Sequence, residues 1–194
     1  MRLTATMAEP ATAVPASLVK QAKAGDLAAF EQIVVAHQRQ VYLTALRLLG
    51  RSEDAQDAAQ EVFLRLYKNL ARLHDDGAGL GPWLYRVTVN ASRDLARERL
   101  RHSGPEPDEN TRGPAALDPQ EEATLAQQRS MAAAALAELP EKERAAVVLR
   151  DIEGLSTREV ARILGSAEVT VRTQISRARR KMKTAIERWL RRQP

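Results

Sequence analysis

Residues 156–180 read STREVARILGSAEVTVRTQISRARR, and this stretch decides the architecture of the C-terminal part of the chain. Ser156-Thr157-Arg158-Glu159 has the spacing of a capping box, in which the Ser and Glu side chains satisfy each other's free backbone N–H groups. It predicts a short helix through Leu164. Gly165 permits a turn, and a long helix is expected from about Glu168 to Leu190. Val160, Ala161, Leu164, Gly165, Val171 and Ile175 have helix-turn-helix spacing: a small Ala161 lets the helices cross closely, while Val171 and Ile175 anchor the second to the first. The second helix then turns Arg172, Thr173, Ser176, Arg177 and Arg180 outward. Guanidinium groups bridge guanine edges or phosphates, and hydroxyls suit phosphates. The pattern points to duplex DNA. The plainer reading is a structural helical hairpin with a basic exterior.

Charge supports the first reading. From Arg172 to the last residue there are nine Lys and Arg against one acid, Glu187. So dense a basic face usually marks a polyanion partner, although a solvated helix face has the same composition. Residues 123–194 carry net +7, residues 17–101 net +3, residues 102–122 net −5 and residues 1–16 net zero. The acidic segment HSGPEPDENTRGPAALDPQ contains four prolines and two glycines and shows no helical period. It reads as a flexible linker that could reach about 60 Å when extended.

The chain of 194 residues has 44% hydrophobic residues but only 4% aromatic ones, a balance that favours helices over a sandwich or barrel. There is no cysteine, which excludes disulfides, thiolate metal sites and cysteine nucleophiles. No apolar run is long enough to span a bilayer, and residues 1–16 lack the apolar core of a signal peptide. A soluble, cytoplasmic, all-α protein is expected: a disordered tail over residues 1–16, a helical domain over 17–101, the acidic linker over 102–122, and the helix-turn-helix domain over 123–194.

In the first domain a short helix, Ser17 to Ala24, stops at Gly25. Asp26 is placed to cap a second helix in which Leu27, Phe30, Ile33, Val34, Val41, Leu46 and Leu49 recur at helical intervals until Gly50. Ser52 is expected to cap a third, with Ala58, Val62, Leu66 and Leu70 as its buried stripe and Ala59, Phe63 and Leu73 beside it. After a loop from Ala71 to Gly81, Pro82 suits the start of a fourth helix burying Trp83, Leu84, Val87, Ala91 and Leu95. In the second domain helices are expected over Glu122–Glu138 and Glu141–Ile152, parted by Leu139-Pro140.

Four stretches, in order, carry a resemblance: AKAGDLAAFEQIV, DAQDAAQEVFLRLYKNL, PWLYRVTVNASRDLAR, and LAELPEKERAAVVLRDIEGLSTREVARILGSAEVTVRTQISRARRKM. Across roughly residues 17–192 the chain resembles bacterial sigma factors of the extracytoplasmic-function (ECF) group, the small two-domain members of the sigma-70 family. The chain departs from the family at Val169, where a Gly is usual before Thr-Val. It departs also at Ala167 (usually Ser or Pro, although Ser166 could supply a shifted cap), at Gln174 (frequently Arg) and at Leu73 (frequently Phe). These bear on base preference rather than on fold.

The resemblance implies a sigma region 2-like domain over 17–101 that binds core polymerase, recognises the minus-ten element and promotes strand opening. It also implies a region 4-like domain over 123–194 that recognises the minus-35 element. Asp57, Gln60, Glu61 and Arg65 would meet the clamp of the largest core RNA polymerase subunit; the flap of the second largest subunit is a further contact. Asn69, Leu73, Arg86, Asn90, Arg93 and Arg97 would bind minus-ten DNA, where an unstacked base needs a pocket and single-stranded phosphates need positive charge. Arg172, Thr173, Ser176, Arg177 and Arg180 would bind minus-35 DNA. Trp83 suits a stacking platform, but Leu84 and Val87 beside it favour a core role. The linker would thread the polymerase's nucleic-acid channel or serve only as a tether. An anti-sigma factor is an expected partner, and no membrane insertion is expected.

No catalytic residues, metal site or cofactor are expected. His37, His74 and His102 lack ligand spacing, and Asp75-Asp76 has no partner histidine or Gly-rich cradle. Two other classes stay in view: a stand-alone helix-turn-helix regulator whose N-terminal bundle senses a ligand or dimerises, and a DNA-processing enzyme such as a recombinase. The first lacks an evident ligand-pocket pattern, and the second lacks a nucleophile or carboxylate metal cluster.

Overall fold

A computed structural model describes residues 14–73, 79–102 and 119–191. Among the described residues eight α-helices follow one another: α1 (Ala16–Lys23), α2 (Leu27–Leu49), α3 (Ser52–Asn69), α4 (Leu80–His102), α5 (Pro119–Ala137), α6 (Glu141–Val147), α7 (Thr157–Leu164) and α8 (Glu168–Leu190). A 3₁₀ turn, Leu70–Arg72, extends α3, and a π turn, Val148–Ile152, extends α6. The all-α class and the order of elements agree with the sequence. Residues 1–13 of the expected tail, most of the linker, and the loop residues His74, Asp75 and Asp76 lie outside the described residues, whereas Ala16, expected in the tail, opens α1.

Local chemistry sets the boundaries. Asp26 accepts hydrogen bonds from the Ala28 and Ala29 amides at 2.9 and 3.1 Å, capping α2 as expected. Gly50 ends that helix at φ 78°, a left-handed conformation that a side chain would strain. Three expectations need correction. Ser52 is the first residue of α3 and not its cap; Arg51 holds the cap position, with no side-chain hydrogen bond to the helix. Helix α4 begins at Leu80, inside the loop expected to run to Gly81, with Pro82 in its first turn as expected, and α5 begins at Pro119, inside the segment read as linker. Leu27, first of the apolar residues recurring along α2, is 65% exposed, because the inner face of the helix runs through Ala29, Ile33, His37, Val41, Thr44, Ala45 and Leu48.

In the N-terminal half, Ile33, Val41, Val62, Leu66, Leu70, Leu84 and Ala91 share one core. Helix α4 also has a second buried face, formed by Tyr85, Val89 and Ser92 at i, i+4 and i+7. Leu48, Tyr85 and Val89 belong to the same apolar cluster as Leu136, Leu139, Val147 to Leu149, Val160, Ile163, Val171 and Ile175 of the C-terminal half. The two halves are therefore packed together.

A polar cluster sits in that junction. The Glu153 side chain is 3% exposed and accepts from Arg47 Nη1 at 2.6 Å, Thr44 Oγ1 at 3.0 Å and Tyr85 Oη at 3.1 Å. Burial, reinforced by the Glu153 charge, pushes the Tyr85 phenol far above its ordinary value. The neutral phenol is thus preferred in the closed form, so its contribution is complete below the ordinary tyrosine value and is lost as pH rises above it. Nearby, the Arg144 guanidinium donates to the Leu48 carbonyl at 2.6 Å and to the Ala137 and Leu139 carbonyls at 2.9 Å. It thereby places positive charge at the C-terminal ends of α2 and α5. Arg93 of α4 pairs with Glu141 of α6.

These contacts predict that cutting the chain at an engineered protease site within residues 103–118 leaves two fragments that co-elute in size-exclusion chromatography. Glu153→Ala strands three donors in the junction, at a cost of about 2–4 kcal/mol, and is expected to separate the cut fragments. Fragments that separate equally in wild type and variant would rule out this junction as the link.

Candidate nucleic-acid and polymerase interfaces

On α3, Asp57 and Gln60 are exposed and Glu61 and Arg65 half-buried, all along one side of the helix opposite Ala55, Ala58, Val62 and Leu66. Arg65 Nε donates to Glu61 at 2.6 Å, and Arg65 Nη2 reaches Asp94 of α4 at 3.4 Å. These carboxylates hold the Arg65 guanidinium above its ordinary value. Glu61 and Arg65 are thus already paired, and Asp57 is the more open charge of the face. Sequence patterning missed the apolar members of this surface. Leu64 is 46% and Tyr67 57% exposed, and the Tyr67 ring meets Phe30 edge-on with centroids 5.3 Å apart.

Helix α4 brings Arg86, Asn90, Arg93 and Arg97 onto a single stripe, since steps of four, three and four residues return to the same side of a helix. Arg86, Asn90 and Arg97 are exposed. Arg93 is engaged by Glu141 across the junction. Beside the stripe is an open cleft of about 300 Å³, lined by Arg65, Asn69, Arg72, Leu73, Trp83 and Val87. Asn69 donates to the Arg65 carbonyl at 2.8 Å, which leaves its own amide oxygen to accept. Trp83 packs against the N-terminal core, the role favoured for it, and also forms part of the cleft wall. Apolar walls with guanidinium and amide groups at the rim suit a flat, unstacked base. Arg65 and Arg72 were not among the residues expected here; only the meeting of α3, its 3₁₀ turn and α4 reveals them.

The helix-turn-helix forms as its spacing predicts. Ser156 accepts from the Glu159 amide at 3.2 Å, and the Ser156 amide donates to the Glu159 carboxylate at 2.8 Å. The Ser156 hydroxyl, then its amide, hold the Glu159 carboxyl below the usual carboxylate range. Gly165 makes the turn at φ 60°, and Val160, Ala161, Val171 and Ile175 are buried. Helix α8 starts from Ala167 with no side-chain cap, so Ser166 does not supply one.

Arg172, Thr173, Ser176, Arg177 and Arg180 are all exposed. Arg172 is steadied by Glu168 at 3.1 Å, and the Thr173 hydroxyl donates to the Val169 carbonyl at 3.0 Å. Part of the basic density has a structural use that charge counting could not distinguish. Arg179 makes two bonds to Asp151, at 2.8 and 2.6 Å, Lys181 pairs with Glu143 at 2.9 Å, and Arg188 pairs with Glu138 at 3.4 Å. Gln174 is half-buried on the flank of the helix and leaves the outward stripe to its neighbours. Among the described residues no cluster of His, Cys, Asp and Glu could hold a metal, and no helix is long and apolar enough to cross a membrane. His37 is a core residue, its imidazole held below the ordinary value by burial.

Comparison with known proteins gives matches to both halves. Residues 33–102 match the family model for sigma-70 region 2, and residues 129–182 that for sigma-70 region 4. The chain is 37% identical over 167 residues to the ECF RNA polymerase sigma factor SigM of Mycobacterium tuberculosis, covering 86% of this chain and 82% of SigM. It is 32% identical over 184 residues to the ECF RNA polymerase sigma-E factor of Escherichia coli, covering 90% and 95%. Its fold is similar to that of CnrH solved in complex with the cytosolic domain of CnrY, with a TM-score of 0.65, 27% identity, and coverage of 88% and 96%.

The capping box anchors the start of α7 and hence the seat of α8. Ser156→Ala is expected to cost about 1 kcal/mol at neutral pH, measured by denaturant unfolding. Because Glu159 titrates below its ordinary value in the folded chain, its contribution is present above that value and lost as pH falls through the lowered one. The gap between wild type and variant should therefore shrink in acid. A gap that widens in acid would contradict the assigned contact.

Proposed function

The chain belongs to the sigma-70 family, in its extracytoplasmic-function group, and from that membership we propose a division of labour among its surfaces. It is a promoter-specificity subunit of bacterial RNA polymerase. The region 2-like domain, residues 17–101, joins core polymerase through Asp57, Gln60, Glu61 and Arg65 and captures the opened minus-ten strand. The region 4-like domain, residues 123–194, reads the minus-35 duplex. The phosphodiester chemistry is the polymerase's; this chain selects and opens DNA for it.

The observation that carries this reading is the presence, in one chain, of two separate outward surfaces of complementary chemistry. One is the acid and amide face of α3, suited to a basic partner. The other is the Arg, Thr and Ser stripe of α8, the second helix of a helix-turn-helix, suited to a major groove. The α4 stripe and its cleft lie between them in the sequence. There Arg86 and Arg97 track single-stranded phosphates, Asn90 pairs with a base edge, and the cleft at Asn69 and Leu73 receives a flipped base.

We further propose that the packed arrangement is a resting form, and that engagement of polymerase and promoter parts the halves and frees Arg93 from Glu141. A regulator that keeps the halves together would act as an anti-sigma factor.

Run-off transcription from a responsive promoter should require both core polymerase and this chain. DNA cleavage, or repression without activation, would point to the other classes. Asp57→Arg is expected to lower capture of core polymerase with well under about 1 kcal/mol of change in stability, because the residue is exposed. Arg172→Ala and Arg177→Ala are each expected to cost about 1–3 kcal/mol in duplex minus-35 binding by the holoenzyme if they read guanine, and less at phosphate. Both should bind single-stranded minus-ten oligonucleotides normally. Asn90→Ala should show the converse. Loss of the oligonucleotide by the Arg variants, and not by the Asn variant, would reverse the assignment of the two sites.

A further inference from the structure

Val169 is 69% exposed although it is an apolar, β-branched residue near the start of a 23-residue helix. Its place in the first turn of α8 distinguishes it from the other exposed apolar side chains, among them Leu190 at the far end of the same helix. Val171, Ile175 and Ala178 form the buried side of the helix. At about 100° per residue, Val169, Thr173, Ser176 and Arg180 fall on the opposite side, in a line along the middle of the exposed face. Arg172 and Arg177 flank that line. Val169 is its leading member and the sole apolar one, the others being hydroxyl-bearing or cationic.

Such a side chain gains little in the free chain. Valine is a poorer helix former than alanine, and solvent exposure returns no burial energy. The face it leads is the one that the proposed function places in the major groove, on which this inference rests. In that docking mode the N-terminal residues of the second helix reach base edges. The groove offers donors, acceptors and one markedly apolar group, the C5 methyl of thymine. We propose that Val169 is a specificity-determining residue that packs its isopropyl group against a thymine methyl in the upstream promoter element. The polar line behind it fixes register: Arg172, steadied by Glu168 at 3.1 Å, and Arg177 grip the duplex on either side, so the valine meets one base pair.

The test uses the full chain with core polymerase. Duplexes bound by the wild-type holoenzyme are selected from a pool randomised over the upstream element. Each thymine of the selected element, on either strand, is then replaced singly by deoxyuridine, which lacks only the methyl group. Binding is measured for wild type, Val169→Ala and Val169→Thr. At one thymine, deoxyuridine is expected to weaken wild-type binding about fourfold, the effect of uncovering one methyl-sized group. The same replacement should leave Val169→Ala within experimental error, and Val169→Thr should fall between. The proposal is overturned if the selected element contains no thymine, if wild type tolerates deoxyuridine everywhere, or if the penalty is equal in wild type and Val169→Ala. Failure of the wider reading is distinct: the holoenzyme then selects no upstream element, or selects one whose binding is indifferent to Arg172→Ala.

Discussion

One carboxylate organises the junction between the two halves. Glu153 lies at the end of the π turn and receives Arg47 and Thr44 from α2 and Tyr85 from α4. A buried charge is tolerable only when its partners are in place. The close approach of α2, α4 and the helix-turn-helix half is therefore coupled to this group. The surrounding contacts are apolar or cap helix ends: Leu48, Tyr85 and Val89 join the C-terminal core, and Arg144 bridges the ends of α2 and α5. Such a junction combines an apolar contribution, which is not directional, with a polar one that fails abruptly when one member leaves.

Helix α4 is the element on which these demands converge. Leu84 and Ala91 serve the N-terminal core, Tyr85 and Val89 the junction, and Arg86, Asn90 and Arg97 remain at the surface. Arg93 lies at the border between stripe and junction, and its bond to Glu141 ties the proposed single-strand surface to the closed arrangement. In this arrangement Arg93 is therefore occupied by the C-terminal half. The cleft beside Trp83 is formed wholly by the N-terminal half.

Helix α8 shows a comparable partition of charge. Arg179, Lys181 and Arg188 return to Asp151, Glu143 and Glu138 and hold the helix against α5, α6 and the π turn. Arg172, Thr173, Ser176, Arg177 and Arg180 stay outward. A long basic helix can thus be fastened along one flank by ion pairs and along its inner side by Val171, Ile175 and Ala178, while presenting a polar face to a polyanion.

Much was legible from local rules. Helix-turn-helix spacing, the Ser156 and Glu159 capping box, the Asp26 cap and the stripe Ala58, Val62, Leu66 are short-range patterns, and short-range patterns survive folding because their partners lie within a turn or two. The outward residues of α3 and α8 followed from the same periodicity. Leu27, Tyr85, Val89 and Arg93 did not. Their environment is set by segments far away in the chain, so periodicity did not show Leu27 to be exposed and gave α4 one buried face where it has two. The cleft, too, required Asn69, Arg72 and Trp83 to meet across two helices. Sequence alone determined the helices, the helix-turn-helix and the family resemblance. Tertiary structure decided which arginines are engaged, and that Glu153 closes the chain, because both depend on partners separated by up to 109 positions along it.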